Sequence, residues 1–148
     1  MGLAVVLLII ILGLLAYVRF APSDPAIWHV AVATTAPATP GQCIDKIALV
    51  AKGARATCLL AGNPQDVLAK LDATAMATPR TSRLAGLPID ARITWVSRSR
   101  LMGFPDYITA EVSQAPAGTR LDIFSRQRFG NGDGGVNAAR LHDWLAPF

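Results

Sequence analysis

Three segments decide the architecture: Arg92-Ile93-Thr94-Trp95-Val96, Tyr107-Ile108-Thr109-Ala110-Glu111-Val112 and Arg120-Leu121-Asp122-Ile123-Phe124. Apolar residues fall on every second position: Ile93 and Trp95, then Ile108, Ala110 and Val112, then Leu121 and Ile123. Side chains alternate faces along a strand, so this spacing puts one face of each segment in a core and leaves the other polar. One-sided patterning of this kind suits an antiparallel sheet. Gln114-Ala115-Pro116-Ala117-Gly118 provides the hairpin loop between the last two segments.

Upstream, Ile44–Val50 and Ala56–Leu60 read as two more strands around Ala51-Lys52-Gly53-Ala54-Arg55. Thr78–Ala85 suits an edge strand and Gly86–Asp90 a turn. Asn63-Pro64 has the form of an N-cap followed by proline at the first helical position, with Val67, Leu68 and Leu71 as the apolar stripe. Asn137 is the expected cap of a last helix that turns Leu141, Trp144 and Leu145 inward. Strands with two helices on one face make an α+β layer. The expected organisation is a transmembrane anchor over residues 1–20, a Pro/Ala/Thr-rich linker over 21–41 and an α+β domain over 42–148, a small mostly antiparallel sheet with two helices packed on it. Trp28 and His29 interrupt the linker as candidates for either the membrane interface or the domain surface.

Apolar residues are 52% of the chain, and 17 of the first 20 residues are apolar. Gly2–Val18 carries no charge, and a helix from Met1 to Phe20 is about 30 Å long, the thickness of a hydrocarbon core. Tyr17, Arg19 and Phe20 suit the interface. No Lys or Arg precedes the run and no small-x-small site directly follows it, so an uncleaved anchor is expected rather than a signal peptide. The expected location is a bacterial inner membrane, single-pass, with the domain on the periplasmic side.

Lys and Arg total 14 against 10 acids, a net charge of +4, and no basic run or aromatic-basic motif points to nucleic acid. Cys43 and Cys58, placed in a hairpin turning at Lys52-Gly53, are offset by about 13 Å at the strand rise, too far for a disulfide. Two buried thiols are therefore expected. Neither CxxC nor HxxxH spacing is present, nor a GxSxG elbow. Gly130-x-Gly132-x-x-Gly135 imitates a dinucleotide fingerprint, but the 13 residues after it leave no room for the strand and acid that motif needs. Asp133 is the single acid of that loop, too few oxygens for calcium. No metal and no cofactor is expected.

The chemistry-bearing stretches are Arg98-Ser99-Arg100-Leu101-Met102-Gly103-Phe104-Pro105-Asp106 and Ser125–Asn137. Each opens on Arg-x-Arg at a strand end, so Arg98 shares a face with Arg100, and Arg126 with Arg128, if the strands reach that far. Four converging guanidiniums, with Asp106 and Asp133 beside them and the backbone N–H groups near Asn137, describe an anion or partner site. The same residues also describe an internal salt-bridge network that pins loops to the sheet. Arginines so close are expected to depress both carboxyl pKa values, which disfavours a general acid.

The order RSR–GFPD, then SRxRxG, then a glycine-rich turn ending Gly135-Val136-Asn137, then a helix with Arg140 and Trp144, resembles the domain-of-unknown-function family 1499. The stretch Ala21-Pro22-Ser23-Asp24-Pro25-Ala26-Ile27-Trp28-His29-Val30 is similar to the start of its membrane-anchored proteobacterial members. That resemblance implies an architecture and membrane attachment, and no settled activity. The functional expectation is a non-catalytic accessory or binding module that docks a membrane protein complex, an anionic lipid or another anionic ligand through Arg98, Arg100, Arg126 and Arg128. The alternative is an enzyme acting on a lipid or envelope metabolite with Asp106 or Asp133.

Overall fold

A computed structural model describes residues 2–148. An apolar helix, α1 (Gly2–Phe20), leads into a short turn of helix, α2 (Pro25–Trp28). Six strands follow: β1 (Ala48–Val50), β2 (Gly53–Leu60), β3 (Thr81–Ala85), β4 (Arg92–Arg98), β5 (Pro105–Ala115) and β6 (Gly118–Gln127). Helix α3 (Pro64–Ala77) lies between β2 and β3, and α4 (Val136–Leu145) ends the chain. All neighbouring strands are antiparallel, in the order β1-β2-β6-β5-β4-β3. The α+β architecture with two helices on the sheet is as expected, and the three deciding strands run longer than their alternating cores.

Register assigns every side chain to a face. Trp95 pairs with Ile108, and Ile108 with Ser125, so all three point the same way. On that face Ile93, Trp95, Ile108, Ala110, Leu121 and Ile123 meet Val67, Leu68 and Leu71 of α3 and Leu141, Trp144 and Leu145 of α4. Trp95 and Trp144 meet edge to face with centroids 5.5 Å apart, the geometry the ring quadrupoles favour. Their indole N–H groups are both satisfied, Trp95 donating to Asp72 at 2.8 Å and Trp144 to Thr78 at 2.9 Å. Asp72 is held in turn by Arg83 of the edge strand. Asn63 caps α3 as its sequence predicts, its Oδ1 accepting from the Asp66 N–H at 2.9 Å.

Two expectations are corrected here. Cys43 and Cys58 form a disulfide with Cα atoms 5.5 Å apart. Strand β1 is only three residues long, and Cys43 starts a 3-10 turn (Cys43–Lys46) instead of extending the hairpin. That turn brings Cys43 under the sheet, where strand register would have set Asp45 opposite Cys58. Asn137 is not the cap of α4. Gly135 occupies that position, and Asn137 lies inside the helix, fully buried. Asp133 satisfies the helix start instead, accepting from the N–H groups of Gly135 at 3.0 Å and Asn137 at 2.9 Å.

The stretch read as a linker is laid across the polar face of the sheet. Trp28 stacks on Tyr107 with centroids 3.8 Å apart and ring planes within 8°. The Ser23 hydroxyl meets the Tyr107 hydroxyl at 2.8 Å, and His29 Nδ1 lies 2.9 Å from the Thr94 hydroxyl. Glu111 accepts from the N–H groups of Val32 and Ala33 at 3.0 and 3.2 Å. This strap is irregular backbone whose polar groups would otherwise face an unpaired surface, and the sheet side chains satisfy them. Helix α1 has no buried residue. Among the described residues it is the one helix long and apolar enough to cross a membrane, and an all-round apolar helix with no residue buried against the domain suits a lipid environment.

Candidate functional site

The sheet divides the sequence-predicted site in two. Tyr107 pairs with Arg126, and Arg98 with Pro105, whose carbonyl accepts from the Arg128 N–H at 3.4 Å. Arg98, Arg126 and Arg128 therefore share the strap face, at one end of neighbouring strands. Asp106 is one residue out of phase and points to the helix face. There it pairs with Arg140 at 3.0 Å, while Asn137 accepts from Arg140 at 2.6 Å and from Ser125. Asp133 stays in the loop before α4.

Most strap-face arginines are already committed. Arg128 donates to the Pro22 carbonyl at 2.6 Å, Arg126 to that of Trp28 at 2.7 Å, Arg55 to that of Val32 at 3.3 Å and Arg120 to that of Thr34 at 2.7 Å. These four guanidiniums clamp four strap carbonyls, a use of the fixed donor fork that lysine would perform poorly. Arg126 also lies 5.5 Å above the Trp28 ring and is 9% exposed, so burial pushes its pKa below the usual value, with Arg55 adding to the effect. Arg126 and Arg128 are therefore strap-holding residues. They do pin a segment to the sheet, but not by the salt bridges expected with Asp106 and Asp133: their partners are the carbonyls of Trp28 and Pro22 and the hydroxyls of Thr109 and Tyr107.

The remaining two join different companions. A cleft of about 780 Å³ lies where α1 meets the domain, lined by Arg19, Arg80, Arg98 and Arg100 with Ser23, Thr81, Ser82 and Ser99. None of its lining residues is acidic. Arg98 Nη1 donates to the carbonyls of Arg19 at 2.9 Å and Gly103 at 3.1 Å, which ties the end of the helix to the loop after β4. Gly103 has φ +70°, and a Cβ there would lie 3.1 Å from the Arg19 side chain, so any other residue would strain the backbone and crowd Arg19. Arg80 donates to the Arg98 carbonyl at 3.2 Å, and its other guanidinium nitrogens, like exposed Arg100, keep donors for a ligand. Phe20, Pro22 and Val96 supply apolar wall. Tyr17 reaches the domain as well, edge-on to Phe129 at 6.1 Å.

The carboxyls behave differently from the sequence expectation. Burial raises the Asp106 pKa above its ordinary value against the opposing pull of Arg140. The arginines of the strap face are on the other side of the sheet and do not reach it. Asp133 is lowered, as expected, but from another cause. Its burial acts upward, and the hydrogen bonds from Asn137 and Gly135 outweigh that. Among the described residues no cluster of His, Cys, Asp or Glu is arranged to hold a metal ion.

The family model for a protein of unknown function, DUF1499, matches residues 32–148. The chain belongs to the DUF1499 family. No curated protein and no solved structure matches it. The DUF1499 match takes in the whole sheet and both packed helices and starts inside the strap, leaving α1 and Trp28 outside it. The sequence-predicted residues missed Arg80 of the DUF1499 domain and Arg19 of α1, which complete the cleft. Arg19 reads as a snorkelling residue, and Arg80 occupies a left-handed turn at φ 59° that no local pattern announces. Arg140, which pairs with Asp106, was missed for a related reason: only the register shows that Asp106 lies beneath α4.

Proposed function

We propose that this DUF1499 protein is a membrane-anchored, non-catalytic binding module that holds an anionic group, a phosphate or carboxylate, in the arginine-lined cleft at the root of its anchor. One observation carries the reading: Arg19, Arg80, Arg98 and Arg100 line a single cleft with no acidic residue in its wall. Guanidinium forks bind such oxyanions in bidentate fashion, and partial shielding from water strengthens the contact. The apolar wall beside the anchor suits an amphiphile such as an anionic lipid, or the acidic end of a membrane partner. Asp106 is occupied by Arg140 and Asp133 by two backbone N–H groups, which supports binding over catalysis. The disulfide supports a domain on the oxidising, periplasmic side of a bacterial inner membrane.

Titration of the detergent-solubilised full chain with a short-chain phosphatidylglycerol tests the reading. Arg80→Glu with Arg100→Glu removes two cleft donors while leaving the Arg98 tie in place. Affinity is expected to fall at least about tenfold. Equal binding by the wild type and the double variant, or no binding by either, rejects the cleft as the site.

A further inference from the structure

The end of α1 fixes the depth of one part of the domain. A span from Gly2 to Phe20 is about 28 Å long at 1.5 Å per residue, so Tyr17 and Phe20 lie where hydrocarbon gives way to headgroups. Whatever packs on Tyr17 lies at the same level. Phe129 does so edge-on, and Phe104 follows it with centroids 6.3 Å apart. The loop after β4 is tied there as well, through Arg98 to the Arg19 carbonyl and through Gly103 beneath the Arg19 side chain. This loop is a closed turn. The Ser99 N–H donates to the Phe104 carbonyl at 3.0 Å, that of Gly103 to the Ser99 carbonyl at 3.2 Å, and that of Phe104 to the Ser99 hydroxyl at 3.0 Å. Leu101 and Met102 stand at its tip, Leu101 with 85% of its surface exposed. Turn tips are ordinarily polar. A fixed turn that holds leucine and methionine out, beside two phenyl groups, makes an apolar patch of the kind that meets a partner or a membrane.

Charge follows the same geometry. The sheet end nearest α1 comprises the β1–β2 turn, the starts of β3 and β5 and the ends of β4 and β6. Lys52, Arg80, Arg98, Arg100 and Arg128 stand on it, with Arg19 beside them. Of the acids there, Asp106 is paired with Arg140 and Asp133 accepts from two backbone N–H groups, which leaves Asp24 and Asp143. At the opposite end Arg92 and Arg120 are each matched by a carboxylate, Glu111 and Asp122. We infer that the loop after β4 is a second membrane contact: Leu101 and Met102 enter the interface of the anionic bilayer that α1 spans, and the basic sheet end lies against its phosphates. Apolar side chains ringed by cations are what such an interface takes up, and α1 decides which end of the sheet is presented. Two attachments fix the tilt of the domain where one would let it swing, and they bring the arginine cleft to headgroup level. The inference rests on α1 as a span and not on the cleft holding a ligand.

Cys43 and Cys58 are bonded to each other, so an introduced cysteine is the only free thiol of the chain. Full-length Leu101→Cys, Ile89→Cys and Leu8→Cys chains, each carrying an environment-sensitive fluorophore, are placed in phosphatidylcholine–phosphatidylglycerol vesicles containing spin-labelled lipids. Ile89 is 70% exposed at the far end of the sheet, and Leu8 reports the span. Position 101 is expected to emit at shorter wavelength than position 89 and to be quenched from about 5–10 Å within the interface, with position 89 unquenched. In phosphatidylcholine alone, quenching is expected to weaken at 101 and to stay unchanged at 8. Leu101 packs on no core residue, so L101C is expected to keep the Tm. Quenching at 8 without quenching at 101 overturns the proposal and leaves the span standing, whereas no quenching at either overturns both. Equal quenching at 101 and 89, or at 101 with and without phosphatidylglycerol, also overturns it. A shift to shorter wavelength at 101 without lipid quenching means that protein covers the loop, and overturns it too. The titration of the cleft in detergent reads affinity and not depth, so either reading can fail without the other.

Discussion

The two faces of the sheet are covered in opposite ways. Two helices cover one, pressing Trp95, Trp144 and a set of aliphatic side chains into a dry layer. An irregular strap covers the other, held by hydrogen bonds from Arg55, Arg120, Arg126 and Arg128 to its carbonyls, by its own N–H groups donating to Glu111 and by a single aromatic stack. The first face is stabilised by area removed from water, which is non-directional and tolerant of detail. The second depends on charged donors meeting particular carbonyls, each contact modest once the competing water is counted. The helix face should therefore set global stability, and the strap face should open first and locally.

The hardest blow to this contrast is Trp95→Ala. It removes a fully buried indole and one of the hydrogen bonds to Asp72, so a loss of about 3–5 kcal/mol in chemical denaturation of the full chain is expected. A loss below about 1 kcal/mol would mean that the helix face does not carry the fold. Replacing Cys43 and Cys58 by serine, which opens a loop with sequence separation 15, is expected to cost about 3 kcal/mol. Trp28→Ala tests the other face. About 1–2 kcal/mol is expected from the lost stack and packing, with hydrogen exchange accelerated in residues 21–36 and unchanged in β5 and β6. Uniform acceleration throughout the sheet would show that the strap is part of the core.

Acidification sharpens the contrast with the smallest effect. Burial, then Arg92, holds the docked His29 below its usual 6.5, against weaker upward pulls from Asp90 and Glu111. The undocked chain takes up a proton that docked His29 resists, so docking weakens as pH falls below 6.5. Glu111 behaves differently. Although burial acts upward, hydrogen bonds from Arg92, Val32 and Ala33 hold its carboxyl below the usual 4.5. Its contribution is complete above 4.5 and is lost as pH falls through the lowered value. Strap exchange should thus rise in two steps on acidification, and His29→Gln should remove the upper one. A single step unaffected by H29Q would dissociate His29 from docking.

Legibility followed the same divide. Alternation in β4, β5 and β6, the Asn63-Pro64 start of α3 and the inward stripe of α4 were all readable, because burial of one face imposes a period on the chain. The strap was not, since Pro22, Pro25, Pro37 and Pro40 look like punctuation whether the segment hangs free or is fastened down. The disulfide was missed by extending β1 through a 3-10 turn. The four-arginine convergence was half readable. Arg98 and Arg100 do meet in one cleft, but their partners there are Arg19 and Arg80, far away in sequence, while Arg126 and Arg128 hold the strap.

By itself the sequence determined the membrane-length helix, the antiparallel strands, the two packed helices and the excess of arginine over acid. Each of these is set by local spacing or by composition. Only the tertiary structure decided which arginine clamps backbone and which faces a cleft, that Asp106 lies across the sheet from the strap-face guanidiniums, and that the loop after β4 lies against the end of α1. Those outcomes depend on strand register and on which segment covers each face, and register is a relation between distant residues that no local pattern encodes.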